Sequence, residues 1–475
     1  MPKLNFLRIP LLLPTLIVVV TAPSAATTSA AERADLLIRG GTVVTMNAAG
    51  ETIVDGAIAV RGGQILAVGR REDVLRNYEA PQVVDAGGGL IVPGLVNTHG
   101  HAAMSLMRGL ADDRALMDWL QNFIFPAEAK LVDEAFVRAG TRLACLEMLL
   151  GGTTTYCDMY YFEHAVADET AKAGMRGVLG QTLIDFPAPD YKTWEAATAG
   201  CDKFLADWKD HPLITAAVAP HAPYTVSPEH LQEARKLADR YGAPVVIHVA
   251  ETKSEVQTIR DRHGASPIVH LDRLEVLKGR TLANHVVWAD DADLALLAKH
   301  SVGVAHCPQS NMKLASGIAP VPKMFALKLA VGLGTDGAAS NNDLDLWEEI
   351  DTAAKLHKVA TGDPTVVSAR QAFAMATIEG ARALGMADRI GSLEVGKQAD
   401  VVTVAVDAPH VTPLYDVYSH LAYSVKAGDV RSVVVAGRVV IENRRTTTLD
   451  REAVLAEARQ YRERLQAAVS ASRAK

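Results

Sequence analysis

Four short stretches carry residues whose types and spacing suit metal-assisted chemistry. Asn97-Thr-His-Gly-His101 closes one apolar run, and Val245-Val-Ile-His-Val-Ala-Glu251 closes another with His248 and then Glu251. Leu282-Ala-Asn-His-Val-Val-Trp288 carries His285, and Val331-Gly-Leu-Gly-Thr-Asp-Gly337 carries Asp336 in a Gly-rich turn. On an extended chain residues i and i+2 point to one side, so His99 and His101 can offer two imidazoles to one cation. Each stretch has a plainer reading alone: a surface His pair, a satisfied core His, or an Asp that only forms a turn. Read jointly, they supply the ligand types that zinc or ferrous iron accepts. A cation held by three imidazoles and one carboxylate lowers the pKa of a bound water and supplies hydroxide. Asp336 can take the water's proton, Glu251 can carry a proton to a substrate, and His285 can orient the hydroxide or stabilise developing charge. The chemistry this adds up to is hydrolysis at an sp² carbon.

Residues so far apart in the chain need a frame that brings them together. Between about 91 and 390 the sequence alternates apolar, β-rich runs with helix-like stretches such as Asp133–Leu150 and Pro228–Tyr241. Eight strand-like runs are legible: Leu90–Thr98, Thr153–Met159, Gly177–Thr182, Ile214–Ala219, Pro244–Ala250, Leu282–Trp288, Val302–Cys307 and Ala330–Thr335. Apolar strands alternating with helices predict a parallel sheet covered on both faces. Eight units in this length predict an α/β fold, a closed (β/α)8 TIM barrel, whose active site forms at the C-terminal ends of the strands. An open doubly wound sheet is disfavoured because no G-x-G-x-x-G follows the first strand.

Short strands with Gly-Gly turns flank the middle on both sides, at Leu36–Thr45 and Gly56–Val68 and again at Asp400–Val404 and Arg431–Ile441. The two ends are expected to form one small β-sandwich domain, built from residues 32–90 and 391–447 on either side of the barrel at 91–390. Residues 448–475 have helical spacing and predict a C-terminal surface helix. Residues 1–31 predict a signal peptide: Lys3 and Arg8, then a short apolar run from Leu11 to Ala22, then small residues suited to cleavage. That run is too short for a membrane span, so a periplasmic or extracellular chain without a stable span is expected.

The 475 residues carry a net charge of -7 with 22% charged residues, which excludes a disordered chain and argues against a nucleic-acid partner. Four cysteines, Cys145, Cys157, Cys201 and Cys307, form no C-x-x-C pair, so a disulfide is permitted but not required. A homo-oligomer is left open by the sequence.

The order β-domain, H-x-H, His, His, Asp, β-domain resembles the amidohydrolase superfamily. Met117-Asp-Trp-Leu-Gln-Asn-Phe-Ile-Phe-Pro-Ala-Glu128, Gly151-Gly-Thr-Thr-Thr155, Ala219-Pro-His-Ala-Pro-Tyr-Thr-Val226, His306-Cys-Pro-Gln-Ser-Asn311 and Gly334-Thr-Asp-Gly-Ala-Ala-Ser-Asn-Asn342 resemble its methylthioadenosine/S-adenosylhomocysteine deaminase group. The resemblance implies a mononuclear zinc (or iron) enzyme that deaminates a small-molecule purine nucleoside. It implies metal binding by His99, His101, His248 and Asp336, protonation of the purine ring by Glu251, and a water held by His285. It places Trp119, Glu128 and His221 against the nucleoside, with Glu128 accepting from ribose hydroxyls; His306 is left as a supporting or structural residue. Arginines in and after strand three clamp a homocysteine carboxylate in the group. Here that stretch has Gln181, no Arg from 177 to 234, and Lys192 as the nearest cation. Arg geometry is needed for a bidentate clamp. Neutral 5′ groups (adenosine, 5′-deoxyadenosine, methylthioadenosine) are therefore expected over S-adenosylhomocysteine. The alternative is another ring hydrolase of the superfamily, acting on guanine, s-triazine or cyclic amide rings.

Overall fold

The computed structural model describes residues 31–473, with 1–4 and 10 ahead of them, and side chains through residue 467. The signal peptide expected over 1–31 otherwise lies outside the described residues.

Eight parallel strands form the centre: Leu95–Gly100, Thr153–Tyr160, Arg176–Leu183, Ile214–Pro220, Val245–Val249, Thr281–His285, Gly303–His306 and Val331–Leu333. Each pairs with the next in sequence order. The eighth returns to the first through a parallel bridge between Gly100 and Asp336. At the same seam the Asn97 amide donates to Thr335 Oγ1 at 2.8 Å and the Thr98 hydroxyl donates to the Leu333 carbonyl at 2.9 Å. The sheet is thus closed, and helices cover it as the alternating sequence predicts. Local signals set the helix ends. Asp133 caps Glu134–Leu150 by accepting from the Phe136 N–H at 2.8 Å. Pro228–Tyr241 begins with a proline after Ser227 and stops at Gly242, whose φ of +62° suits a residue without Cβ.

Two strands differ from the sequence expectation. Leu90–Thr98 is not one barrel strand. Leu90–Pro93 pairs antiparallel with Val401–Val404 in the outer sheet, and the barrel strand begins at Leu95. The chain crosses between the sheets at Gly94, where any Cβ would meet Thr154 Oγ1 at 2.1 Å. The sixth strand stops at His285 rather than Trp288, because His285 and Val286 take positive φ values of 70° and 48°.

Among the described residues the outer sheet has nine strands drawn from both chain ends. Its two contributions meet at the Leu90–Pro93/Val401–Val404 pair. It encloses a core of its own, in which Ile38, Ile58 and Ile91 meet Val401 and Val434. The C-terminal helix Arg451–Arg473 is docked rather than free on the surface. Val454, Tyr461 and Leu465 are buried, and Tyr461 meets Phe136 edge-on at 5.4 Å. All four cysteines are buried and unpaired. Among the described residues no helix is long and apolar enough to cross a membrane.

Candidate metal centre and active-site cavity

Barrel closure brings the sequence-distant donors together. Asp336 donates its N–H to the His99 carbonyl at 3.0 Å, and Asp336 Oδ1 lies 3.4 Å from His99 Nε2 and 3.2 Å from His101 Nε2. One ligand atom each from His99, His101 and His248 lies within 4.8 Å of the others, and the same holds for His99, His285 and Asp336. His248 and His285 stack at 5.5 Å between ring centroids. The left-handed φ values of Ala250 (54°), His285 (70°) and Asp336 (60°) turn the chain sharply at these strand ends. Strained backbone of this kind is concentrated at functional sites.

The outer ring nitrogens show how the imidazoles are held. His101 Nδ1 donates to the Met159 carbonyl at 2.7 Å, and His248 Nδ1 to the His221 carbonyl at 2.8 Å. His285 Nδ1 contacts Asn311 Oδ1 at 3.0 Å. A carbonyl oxygen only accepts, so each of these rings holds a proton on Nδ1 and turns its Nε2 inward. His99 is fully buried, and neither of its ring nitrogens has a hydrogen-bond partner. An unsatisfied buried nitrogen costs roughly 1–3 kcal/mol. A cation among these donors would remove that cost, and the donor chemistry fits zinc.

Burial pushes the His99 imidazole down to about 4 and holds His248 well below the usual range. Burial also opposes charging of His101, but the hydrogen bond and charge of Asp336 raise it to about 9. Burial alone would raise Asp336; the His101 and His99 imidazoles beside it hold it well below the carboxylate range instead. Glu251 is raised by burial, partly offset by His285. Its backbone N–H and that of Ala250 both donate to the Glu255 carboxylate, at 2.8 and 2.7 Å, which fixes the bend that carries it.

These groups form the floor of a cavity at the barrel mouth that opens to solvent. Trp119, Glu128 and His221 all line it. Trp119 and Glu128 are nine residues apart, which in a straight α-helix places them on opposite faces. Here a wide π turn, Leu120–Ile124, separates Leu116–Trp119 from Phe125–Leu131, and both side chains reach the cavity. Pro126 favours the irregular turn because it has no N–H to donate. Burial raises Glu128 to about 7, although Tyr160 donates to its Oε1 at 2.6 Å. Burial holds His221 near 3, and its Nδ1 lies 2.9 Å from Thr225 Oγ1.

Other residues fall elsewhere. Gln181 does not face the cavity: its amide donates to Asp190 Oδ2 at 2.8 Å, and the neighbouring Thr182 lines the cavity instead. Successive residues on a strand point to opposite sides, so position 182 is the one that faces the cavity. Lys192 donates to the Ala188 carbonyl at 2.6 Å and does not line the cavity. His306 is buried against His357, with their Nε2 atoms 3.1 Å apart, outside the cavity. Sequence reasoning missed Tyr160, Phe125, Ser310, Asn311 and Ser316. The motif ending at Asn311 was the one signal for two of them.

The amidohydrolase family model matches residues 90–440. The chain belongs to the amidohydrolase family. Similar curated members include the 5-methylthioadenosine/S-adenosylhomocysteine deaminase of Syntrophobacter fumaroxidans, 48% identical over 89% of this chain and 96% of the relative. The 5′-deoxyadenosine deaminase of Methanosarcina acetivorans is 44% identical over 92% of this chain and all of the relative (100%). Among solved structures, an adenosine deaminase from Xanthomonas campestris with bound zinc superposes with a TM-score of 0.90 at 40% identity, covering 92% of this chain and 100% of the other. An atrazine chlorohydrolase from Arthrobacter aurescens shares the fold, with a TM-score of 0.82 at 24% identity over 90% of this chain and 99% of the other. In this amidohydrolase the strand ends that carry the donors are therefore the mouth of a (β/α)8 barrel, where members of so many chemistries place their active sites.

Proposed function

We infer that this amidohydrolase is a zinc-dependent deaminase that removes the 6-amino group of an adenine nucleoside, giving the inosine analogue and ammonia. One observation carries the reading. At the floor of one cavity, the His99–His101–His248–Asp336 donor set meets a buried carboxyl, Glu251, and an imidazole with an inward lone pair, His285. The deaminase relatives support it.

When bound, zinc supplies the Lewis acidity that makes water nucleophilic near neutral pH. Asp336 accepts a proton from that water. Glu251, kept protonable by burial, delivers a proton to the ring nitrogen beside the reacting carbon. His285 Nε2 accepts a hydrogen bond from the attacking water and keeps its oxygen aimed at the carbon. The oxygen stays on the carbon, and the water's two hydrogens are shared between the ring nitrogen and the departing ammonia. Trp119 packs on the nucleoside, His221 faces it, and the Glu128 oxygen not engaged by Tyr160 accepts from a ribose hydroxyl.

Neutral 5′ groups are favoured, because among the described residues no Lys or Arg lines the cavity to pair with a homocysteine carboxylate. The test is turnover of adenosine, 5′-deoxyadenosine, methylthioadenosine, S-adenosylhomocysteine and guanine by zinc-loaded protein, followed by ammonia release. Turnover confined to guanine would replace the reading with that of a different ring deaminase. We also propose export of the mature chain, supported by Lys3, Arg8 and the short apolar run that follows them. Recovery of full-length protein only from the cytoplasm would overturn it.

A further inference from the structure

One seven-residue segment, Ser310–Ser316, touches all three groups assigned to proton handling. The Ser310 hydroxyl donates to Asp336 Oδ2 at 2.7 Å. Asn311 Oδ1 lies 3.0 Å from His285 Nδ1. The Ser316 hydroxyl donates to Glu251 Oε1 at 3.3 Å. The segment is tied to itself, since Ser316 donates its N–H to the Asn311 carbonyl at 2.8 Å. Ser310, Asn311 and Ser316 are all buried, so these contacts do not compete with bulk water.

We propose that this segment is the positioning frame of the reaction and that Asn311 is its deciding residue, acting as the acceptor that fixes the tautomer of His285. The proposal rests on the deaminase reading and adds a residue to it. With the Asn311 oxygen accepting, the His285 proton stays on Nδ1 and Nε2 presents a lone pair to the cavity. Were the amide reversed, its NH2 would face Nδ1, the proton would move to Nε2, and the imidazole would present an N–H where a lone pair is needed. The Asn311 Nδ2 atom is buried without a hydrogen-bond partner, so nothing on its far side selects its orientation. The contact that sets its orientation is the one with His285 Nδ1.

Asn311→Leu removes the acceptor at similar volume, and Asn311→Asp keeps an acceptor that cannot donate. Asn311→Leu is expected to lower kcat on the order of 10²-fold with KM changed by less than about threefold, the pattern of an interaction made in the transition state. Asn311→Asp is expected to recover at least about tenfold of that loss. Bound zinc per chain and the melting temperature report whether each variant is folded. Asn311→Ser, too short to reach the ring, replaces the leucine variant if that variant does not fold. Histidine nitrogen chemical shifts of the zinc-loaded chain give a reading that needs no substrate. His285, assigned by its loss in His285→Gln, is expected to be protonated at Nδ1 in the parent chain and in Asn311→Asp, and at Nε2 or mixed in Asn311→Leu. An Asn311→Asp variant as impaired as Asn311→Leu, or a His285 protonated at Nε2 in the parent chain, would overturn the proposal. Absence of deaminase activity in the parent chain, with His285 still protonated at Nδ1, would overturn the deaminase reading and leave the assignment to Asn311 standing.

Discussion

Gly100 and Asp336 form the bridge that closes the barrel, and that closure sets the carboxylate of Asp336 beside the imidazoles of His99 and His101. Architecture and site are therefore coupled at one seam. A change that loosens the seam disturbs the donors, and a change to the donors is felt by the eighth strand.

Asp336→Ala removes a donor and the counter-charge of His101 together. We expect loss of zinc and of activity, on the order of 10³-fold or more in kcat, since we propose this carboxylate for both the ion and the proton transfer. Metal analysis of purified protein alongside turnover checks it. Retention of stoichiometric zinc by the variant would show that Asp336 does not hold the ion.

Stripping the ion with a chelator is expected to lower the melting temperature as well as abolish turnover, because a ligand bound only to the folded chain stabilises it by mass action. Adding zinc back should restore both. Calorimetry at several free zinc concentrations reads the shift directly.

Glu251→Gln keeps the shape of the side chain and removes its proton. We expect kcat to fall about 10²–10⁴-fold with little change in KM, the usual weight of a positioned general acid. Burial raises the Glu251 carboxyl, and the form that delivers a proton is the protonated one. The parent enzyme should therefore lose rate as pH rises through that raised pKa, and the alkaline limb should vanish in the residual activity of the variant.

Glu128 offers a stability test with a definite sign. Burial lifts its carboxyl from 4.5 to about 7, so between these values the folded chain binds more protons than the unfolded one. Stability attributable to this group is present below 4.5 and falls as pH rises through about 7. Glu128→Gln should flatten that window in denaturant melts while raising KM for nucleosides. An unchanged KM would remove Glu128 from the ribose.

The 5′ preference is checked by comparing methylthioadenosine with S-adenosylhomocysteine. We expect kcat/KM at least about tenfold lower for the latter, an amount that one missing charge-assisted pair accounts for. Equal values would mean that a cation outside the cavity lining reaches the carboxylate.

Much of this molecule was legible in its residues. The eight apolar runs, the helix-like stretches Asp133–Leu150 and Pro228–Tyr241 and the flanking Gly-Gly hairpins are local signals, and a local signal survives without knowledge of the fold. The donors were legible for the same reason: His99, His101, His248 and Asp336 each sit where an apolar run gives way to a turn, His285 lies within such a run, and a barrel gathers these strands' ends at one mouth. Gly94 and the left-handed residues His285 and Val286 were not legible as boundaries, because the close approach of Thr154 and the turn toward the cavity come from packing between distant segments. The face of Gln181 was likewise undecided, since one residue of register exchanges inside for outside along a strand. The π turn that brings Trp119 and Glu128 to one cavity, and the contacts of Ser310, Asn311 and Ser316 with Asp336, His285 and Glu251, depend on distances across the barrel mouth. Chain periodicity specifies which face of an element is apolar. It carries no information on which polar atoms meet across a cavity, because those meetings are set by how the closed sheet orients every loop above it.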